Sequence, residues 1–113
     1  MSGRAFEAEY ERHTGTKILA HAIIERKREG DHLSTLLWRR YVNRVARGLA
    51  VVVNTLDPDV FVMGGGMSNI DELYDDLTVE LPRRTFSTVF HTPIKRAAHG
   101  DSSGVRGAAW LWK

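Results

Sequence analysis

The chain has 113 residues, 42% of them hydrophobic and 27% charged, a balance that suits one folded unit and excludes a disordered tail. Lysine and arginine number 16 against 14 acidic residues, so the net charge is only +2, too small a surplus to argue for a nucleic-acid or membrane-surface partner even with an isoelectric point near 9.2. With no cysteine, disulfides, thiolate metal sites, iron–sulfur clusters and a cysteine nucleophile are all excluded.

Ser2 is positioned to cap a first helix that reaches about His13, with Phe6 and Tyr10 four apart on one side and Gly15 as its stop. No apolar run of a secretory leader opens the chain, and nothing approaches the roughly 20 apolar residues that cross a bilayer. A second helix is predicted over Leu19–Arg28, with Leu19, Ile23 and Ile24 inward, and Gly30 ends it. Asp31 then caps the longest helix, which runs to Leu56. Leu33, Leu37, Tyr41, Val45, Leu49, Val52 and Leu56 recur every three or four residues, with Arg39, Arg40, Arg44 and Arg47 outside. From Leu49 to Val53 the pattern is apolar all round and predicts deep burial. Asp57-Pro58-Asp59 stops the helix, because the residue before proline is driven out of helical geometry.

Val60–Met63 is a short, unbroken apolar run, the pattern of a central parallel strand buried on both faces. Gly64-Gly65-Gly66 makes the turn. Asn69, with Glu72 three residues on, reads as a capping box for a helix carrying Ile70, Leu73, Leu77 and Leu81, which Pro82 kinks or ends. A strand is expected within Pro93–Ala98, and a last helix from Asp101 through Lys113. That makes about five helices and two or three strands. A strand buried on both faces needs neighbours on both sides, which this tally hardly supplies, so the pattern points to part of a larger fold.

Chemistry concentrates at the glycine turn. Glycines let a backbone approach a ligand closely, and a following helix N-terminus offers N–H groups to an anion. The turn lacks the Lys-Ser/Thr ending of a Walker A loop, and Asn69 stands where a dinucleotide fingerprint needs its third glycine. By themselves, three glycines also serve any tight turn. His13, His21, His32, His91 and His99 have no ligand spacing. Arg26-Lys27-Arg28 and the arginines at 39–47 read as solvated faces or subunit contacts, and Asp71, Glu72, Asp75 and Asp76 as favourable charge near a helix start. Ser102 and Ser103 have no His and Asp arranged to activate them. No catalytic and no metal-ligating residue is assigned.

Leu56–Asn69 (LDPDVFVMGGGMSN) resembles the adenosine-side loop of sugar kinases in the ROK family (repressor, ORF, kinase). His99–Trp112 (HGDSSGVRGAAWLW) is similar to the C-terminal signature of that family, and Ser2–Phe6 to the segment after its cysteine-rich zinc loop. The resemblance covers essentially the whole chain. Within the family it runs first to the fructokinase (mannokinase) branch and next to N-acetylglucosamine kinases.

The resemblance implies an α/β fold: part of an actin-like, ribonuclease-H-like ATPase lobe, mostly helical with two or three strands. Residues 1–113 would form the C-terminal part of the second of two lobes. It implies phosphorylation of a hexose hydroxyl, with ATP and Mg serving the complete enzyme. The phosphate loop, the catalytic aspartate, the sugar-binding segment and the zinc loop would precede Met1, so zinc is expected only there. For this chain it implies a nucleotide-binding side at Gly64, Gly65 and Gly66, where a Cβ would take the ligand's space, with Ser68 and Asn69 opening the helix beside it. The expected properties are no activity alone, weak nucleotide binding, hexose binding only in the complete enzyme, homo-oligomerisation, a cytoplasmic location, and neither nucleic acid nor membrane as partner. Two alternatives stand beside this one. The chain could be the effector and oligomerisation domain of a ROK transcriptional repressor, or a truncated, non-catalytic interaction module.

Overall fold

Short-range chemistry sets the helix boundaries. In the computed structural model, which describes residues 3–56, 60–63, 66–84, 93–96 and 108–111, helix α1 covers Gly3–Thr14, α2 covers Ala20–Arg28 and α3 covers His32–Leu56. At the end of α2 the Gly30 N–H donates to the Lys27 carbonyl at 3.0 Å and the Asp31 N–H to the Arg26 carbonyl at 3.0 Å. Gly30 has φ 95°, so the helix closes through a left-handed residue that a side chain would strain. Asp31 then caps α3: its Oδ2 accepts from the Ser34 N–H at 2.9 Å and from the Ser34 hydroxyl at 2.6 Å. These bonds hold the Asp31 carboxyl below its ordinary value.

The apolar stripes of these helices meet in one core. Phe6 of α1 lies edge-on to Trp38 of α3 at 5.9 Å between ring centres, and Trp38 stacks on Tyr41 at 5.6 Å. Ile23 and Ile24 of α2 and Leu37, Val45 and Leu49 of α3 are buried in the same cluster. The expected deep burial of Leu49 to Val53 holds only in part. Leu49 and Ala50 are buried, but Val51 is 63% exposed. One face of α3 turns away from the core, and a helix rotates each successive residue too far for all five to be covered by one side.

Strand β1 covers Val60–Met63, and helix α4 covers Asp71–Glu80, with a 3-10 turn between them at Gly66–Asn69 and another after α4 at Leu81–Arg84. Strand β2 is Ile94–Arg96 and β3 is Ala108–Leu111. The sheet order is β2-β1-β3, both pairings are parallel, and β1 is central. Its Phe61 and Met63 side chains are buried.

Three expectations change. First, β1 does not lack partners: the chain itself supplies a parallel neighbour on each side. Second, Ala108–Leu111 is a strand, not part of a helix. The sequence before it carries Gly100, Gly104 and Gly107, which weaken a helix, and pairing makes the backbone bonds that β1 would otherwise leave unmade at about 1–3 kcal/mol each when buried. Third, the Asn69–Glu72 capping box does not form. The α4 cap position is Ile70, in extended geometry with no side-chain cap bond. Glu72 instead accepts from Nε and Nη2 of Arg28, at 2.9 and 2.8 Å, and so ties α4 to α2. The predicted Ser2 cap and the helix start at Asp101 lie outside the described residues.

Candidate functional site

The carboxyl ends of parallel strands are where ligands settle in α/β sheets, because the chain leaves the sheet there and opens a crevice. In this sheet the central strand ends at Met63, and the glycine run follows directly. Of the residues singled out from sequence, Gly64 and Gly65 lie outside the described residues. Gly66, Ser68 and Asn69 are together in the 3-10 turn. Ser68 is buried and Asn69 exposed. Neither opens α4 as a cap; the turn ends before the helix begins.

The turn is anchored on both sides. Met67 is buried against α1, where its Sδ would stand 3.2 Å from a Cβ built on Gly3. The Ile70 N–H donates back to the Met67 carbonyl at 3.2 Å. The Ser68 carbonyl accepts from the Tyr74 hydroxyl at 2.6 Å and from Arg96 Nε at 2.7 Å. Arg96 Nη2 also donates to Asp71 Oδ1 at 2.7 Å, and its guanidinium lies 5.0 Å from the centre of the Tyr74 ring. The bond to Asp71, and then the one to Tyr74, raise the Arg96 pKa above its ordinary value. β2 puts Arg96 there: its parallel register sets Arg96 beside Met63, the last residue of β1.

Sequence reasoning missed Arg96, Tyr74 and the role of Asp71. Arg96 is 28 positions from Ser68, and only the β1–β2 register brings the two together. The periodicity of α4 was a partial signal for Tyr74, since it lies one position off the apolar stripe.

A concavity of about 590 Å³ lies elsewhere, between α2, α3 and α4, lined by Lys27, Trp38, Arg39, Asn43, Asp76 and Val79 among others. No residue of the glycine turn lines it. Trp38 is 1% exposed with its indole N–H bound to Asp76 Oδ2 at 2.6 Å, so it offers no face on which a base could stack. The arginines of α3 are exposed, as expected, but two of them also form ion pairs within the chain. Arg40 and Arg44 reach the buried carboxylate of Glu9 on α1. His13 Nδ1 binds the Glu9 carbonyl at 2.9 Å. Among the described residues, no group of three or more histidines and carboxylates is placed to hold a metal ion. No described helix is long and apolar enough to cross a membrane.

The model of the ROK family matches residues 1–113. An N-acetyl-D-glucosamine kinase of Pasteurella multocida is 40% identical over 112 residues, which is 99% of this chain and 37% of that protein. One from Vibrio cholerae is 39% identical over 111 residues, 98% of this chain and 37% of that protein. The crystal structure of a ROK hexokinase from Thermus thermophilus superposes with a TM-score of 0.76 at 27% identity, covering 93% of this chain and 36% of that one. The chain thus spans little more than a third of the length of these relatives, and its fold is a partial α/β lobe like that of the hexokinase. A family match over every residue, together with this identity and this superposition, establishes that the chain belongs to the ROK family.

Proposed function

We propose that this chain is the C-terminal part of the second lobe of an ATP-dependent hexose kinase and carries part of the adenosine side of its nucleotide pocket. Gly64, Gly65, Gly66, Ser68 and Asn69 are the residues proposed to meet the nucleotide. The observation that carries this reading is the position of the turn. It leaves the carboxyl end of the central strand of a parallel sheet, where a glycine backbone allows a planar base and ribose to come close.

Phosphoryl transfer consists mostly of positioning and charge stabilisation around a base that takes the hydroxyl proton. In this proposal the base, the sugar contacts and the zinc loop belong to parts of the complete enzyme outside these residues, and ATP and Mg act in the complete enzyme. The part played by this chain is to bind and orient adenosine. Alone it binds nucleotide weakly and transfers nothing. A cytoplasmic location and self-association complete the proposal. As for the sugar, the sequence resemblance favours fructose, while the relatives named above act on N-acetyl-D-glucosamine by their names. Those relatives are kinases, which favours this reading over a repressor domain.

The test is a coupled assay of the pure chain with Mg-ATP and fructose, mannose or N-acetylglucosamine, beside a titration with a non-hydrolysable ATP analogue. The expected result is weak binding without turnover. Turnover by the chain alone would overturn the partial-lobe reading, and no binding at millimolar analogue would remove the nucleotide role.

A further inference from the structure

We infer that Arg96 is a positioning residue that sets the Gly66–Asn69 turn in its binding geometry before any ligand arrives. The inference rests on the reading of that turn as part of the nucleotide side. A glycine-led turn has little of its own to hold it. Glycine has the widest backbone freedom of any residue, and no side chain with which to anchor. Met67 supplies part of the anchoring from within the turn, and the rest comes from outside it. The Ser68 carbonyl receives two donors, Tyr74 Oη at 2.6 Å and Arg96 Nε at 2.7 Å, one for each of its lone pairs.

The same guanidinium continues past the turn. Its Nη2 binds Asp71 Oδ1 at 2.7 Å in the first turn of α4, and its Cζ lies over the Tyr74 ring, 5.0 Å from the ring centre. One planar group therefore ties β2, the turn and the start of α4 together. Because β2 is hydrogen-bonded to β1 with Arg96 beside Met63, the clamp fixes the turn relative to the strand it leaves. Lysine cannot replace it. An ammonium is a point donor with no flat face, so it cannot satisfy Ser68 and Asp71 while stacking on Tyr74. Without the clamp, ordering the turn becomes a cost of binding, and affinity falls.

The experiment uses the full 113-residue chain and its Arg96→Met, Arg96→Lys and Lys95→Met variants. Lys95 is exposed on the same strand and serves as the control. Two quantities are read by NMR: amide hydrogen exchange of Met67–Leu73 without ligand, and the affinity for Mg-bound adenosine 5′-(β,γ-imido)triphosphate. Arg96→Met should speed exchange in this segment but not in Leu37–Leu49 of α3, and should weaken nucleotide binding about tenfold, the scale of a binding site that must be ordered first. Arg96→Lys should fall between it and wild type, and Lys95→Met should match wild type. Exchange unchanged in both Arg96 variants would overturn the clamp. Faster exchange with unchanged affinity would overturn its link to the nucleotide. If the analogue fails to shift the Gly66–Asn69 signals of the unmodified chain, the nucleotide reading itself falls. The exchange data then still report whether Arg96 holds the turn.

Discussion

Arg40 Nε of α3 lies 3.1 Å from Glu9 Oε1 of α1, joining a side chain that is 55% exposed to one that is 3% exposed. Arg44 reaches the other oxygen, Oε2, at 2.5 Å, and Arg12 stands 3.8 Å from it. Oε1 has charge attraction from Arg40 but no well-aligned donor. The asymmetry decides which partner matters. Exposed arginines return to water when Glu9 is lost, whereas a buried carboxylate without its arginines keeps an uncompensated charge. Glu9→Gln should therefore cost only about 1 kcal/mol, while Arg40→Ala with Arg44→Ala should cost about 3 kcal/mol or more. Urea unfolding of both variants checks the order, and equal losses would show that the burial of Glu9 is not what matters.

Acid should weaken the fold through Glu72. The Arg28 hydrogen bonds hold its carboxyl below the ordinary value of 4.5. The unfolded chain then takes up the proton first, so stability is full above about pH 4.5 and is lost as pH falls through the depressed value. Asp31, held down by Ser34, acts in the same direction. The Glu72–Arg28 pair is open to solvent on the Arg28 side, so screening keeps its share small. Glu72→Gln should flatten the stability profile between pH 5 and pH 3, roughly the span in which carboxylates titrate. A profile as steep as wild type would rule out this pair as the cause.

Alkali should act through Tyr41. Burial pushes its hydroxyl up from 10.0 to about 12, with Arg44 pulling weakly the other way. Above about pH 10 the unfolded chain loses this proton while the fold keeps it, so stability declines until the folded group also titrates near 12. The loss is on the order of 3 kcal/mol, about two pKa units at 1.36 kcal/mol each. Difference absorbance of tyrosinate in wild type against Tyr41→Phe measures the value directly, and a Tyr41 signal at pH 10 would contradict the burial argument.

Gly65→Val should abolish detectable binding of the ATP analogue while leaving the helical circular dichroism unchanged, because the reading needs the space a Cβ would fill. Equal affinity in the variant would take the glycine run out of the pocket.

An unpaired central strand gives no ground for self-association, since β1 is paired on both sides and the β2 edge is short and bears Lys95 and Arg96, features that discourage edge pairing. What supports it is exposed apolar surface, with Val51 at 63% and Leu36 at 52% on α3. Light scattering at micromolar concentration should show a mass above 12.8 kDa that Val51→Glu lowers. A concentration-independent monomer mass for the unmodified chain would end the proposal.

Local spacing is enough to place the elements whose signals come from near neighbours. The step of three and four from Leu33 to Leu56, the Asp31 cap, the left-handed stop at Gly30 and the apolar run Val60–Met63 each depend on near neighbours, and each stands where the pattern put it. The family too was legible, because the Leu56–Asn69 and His99–Trp112 motifs are long. Tertiary structure decided what depends on distant partners. Ala108–Leu111 is a strand because β1 offers it a ladder, Glu72 leaves its cap for an arginine 44 positions away, and Arg96 reaches Ser68 across a register that no short window contains. Backbone and side-chain hydrogen bonds are satisfied by whichever partner the fold brings near, and that choice is not written in local spacing.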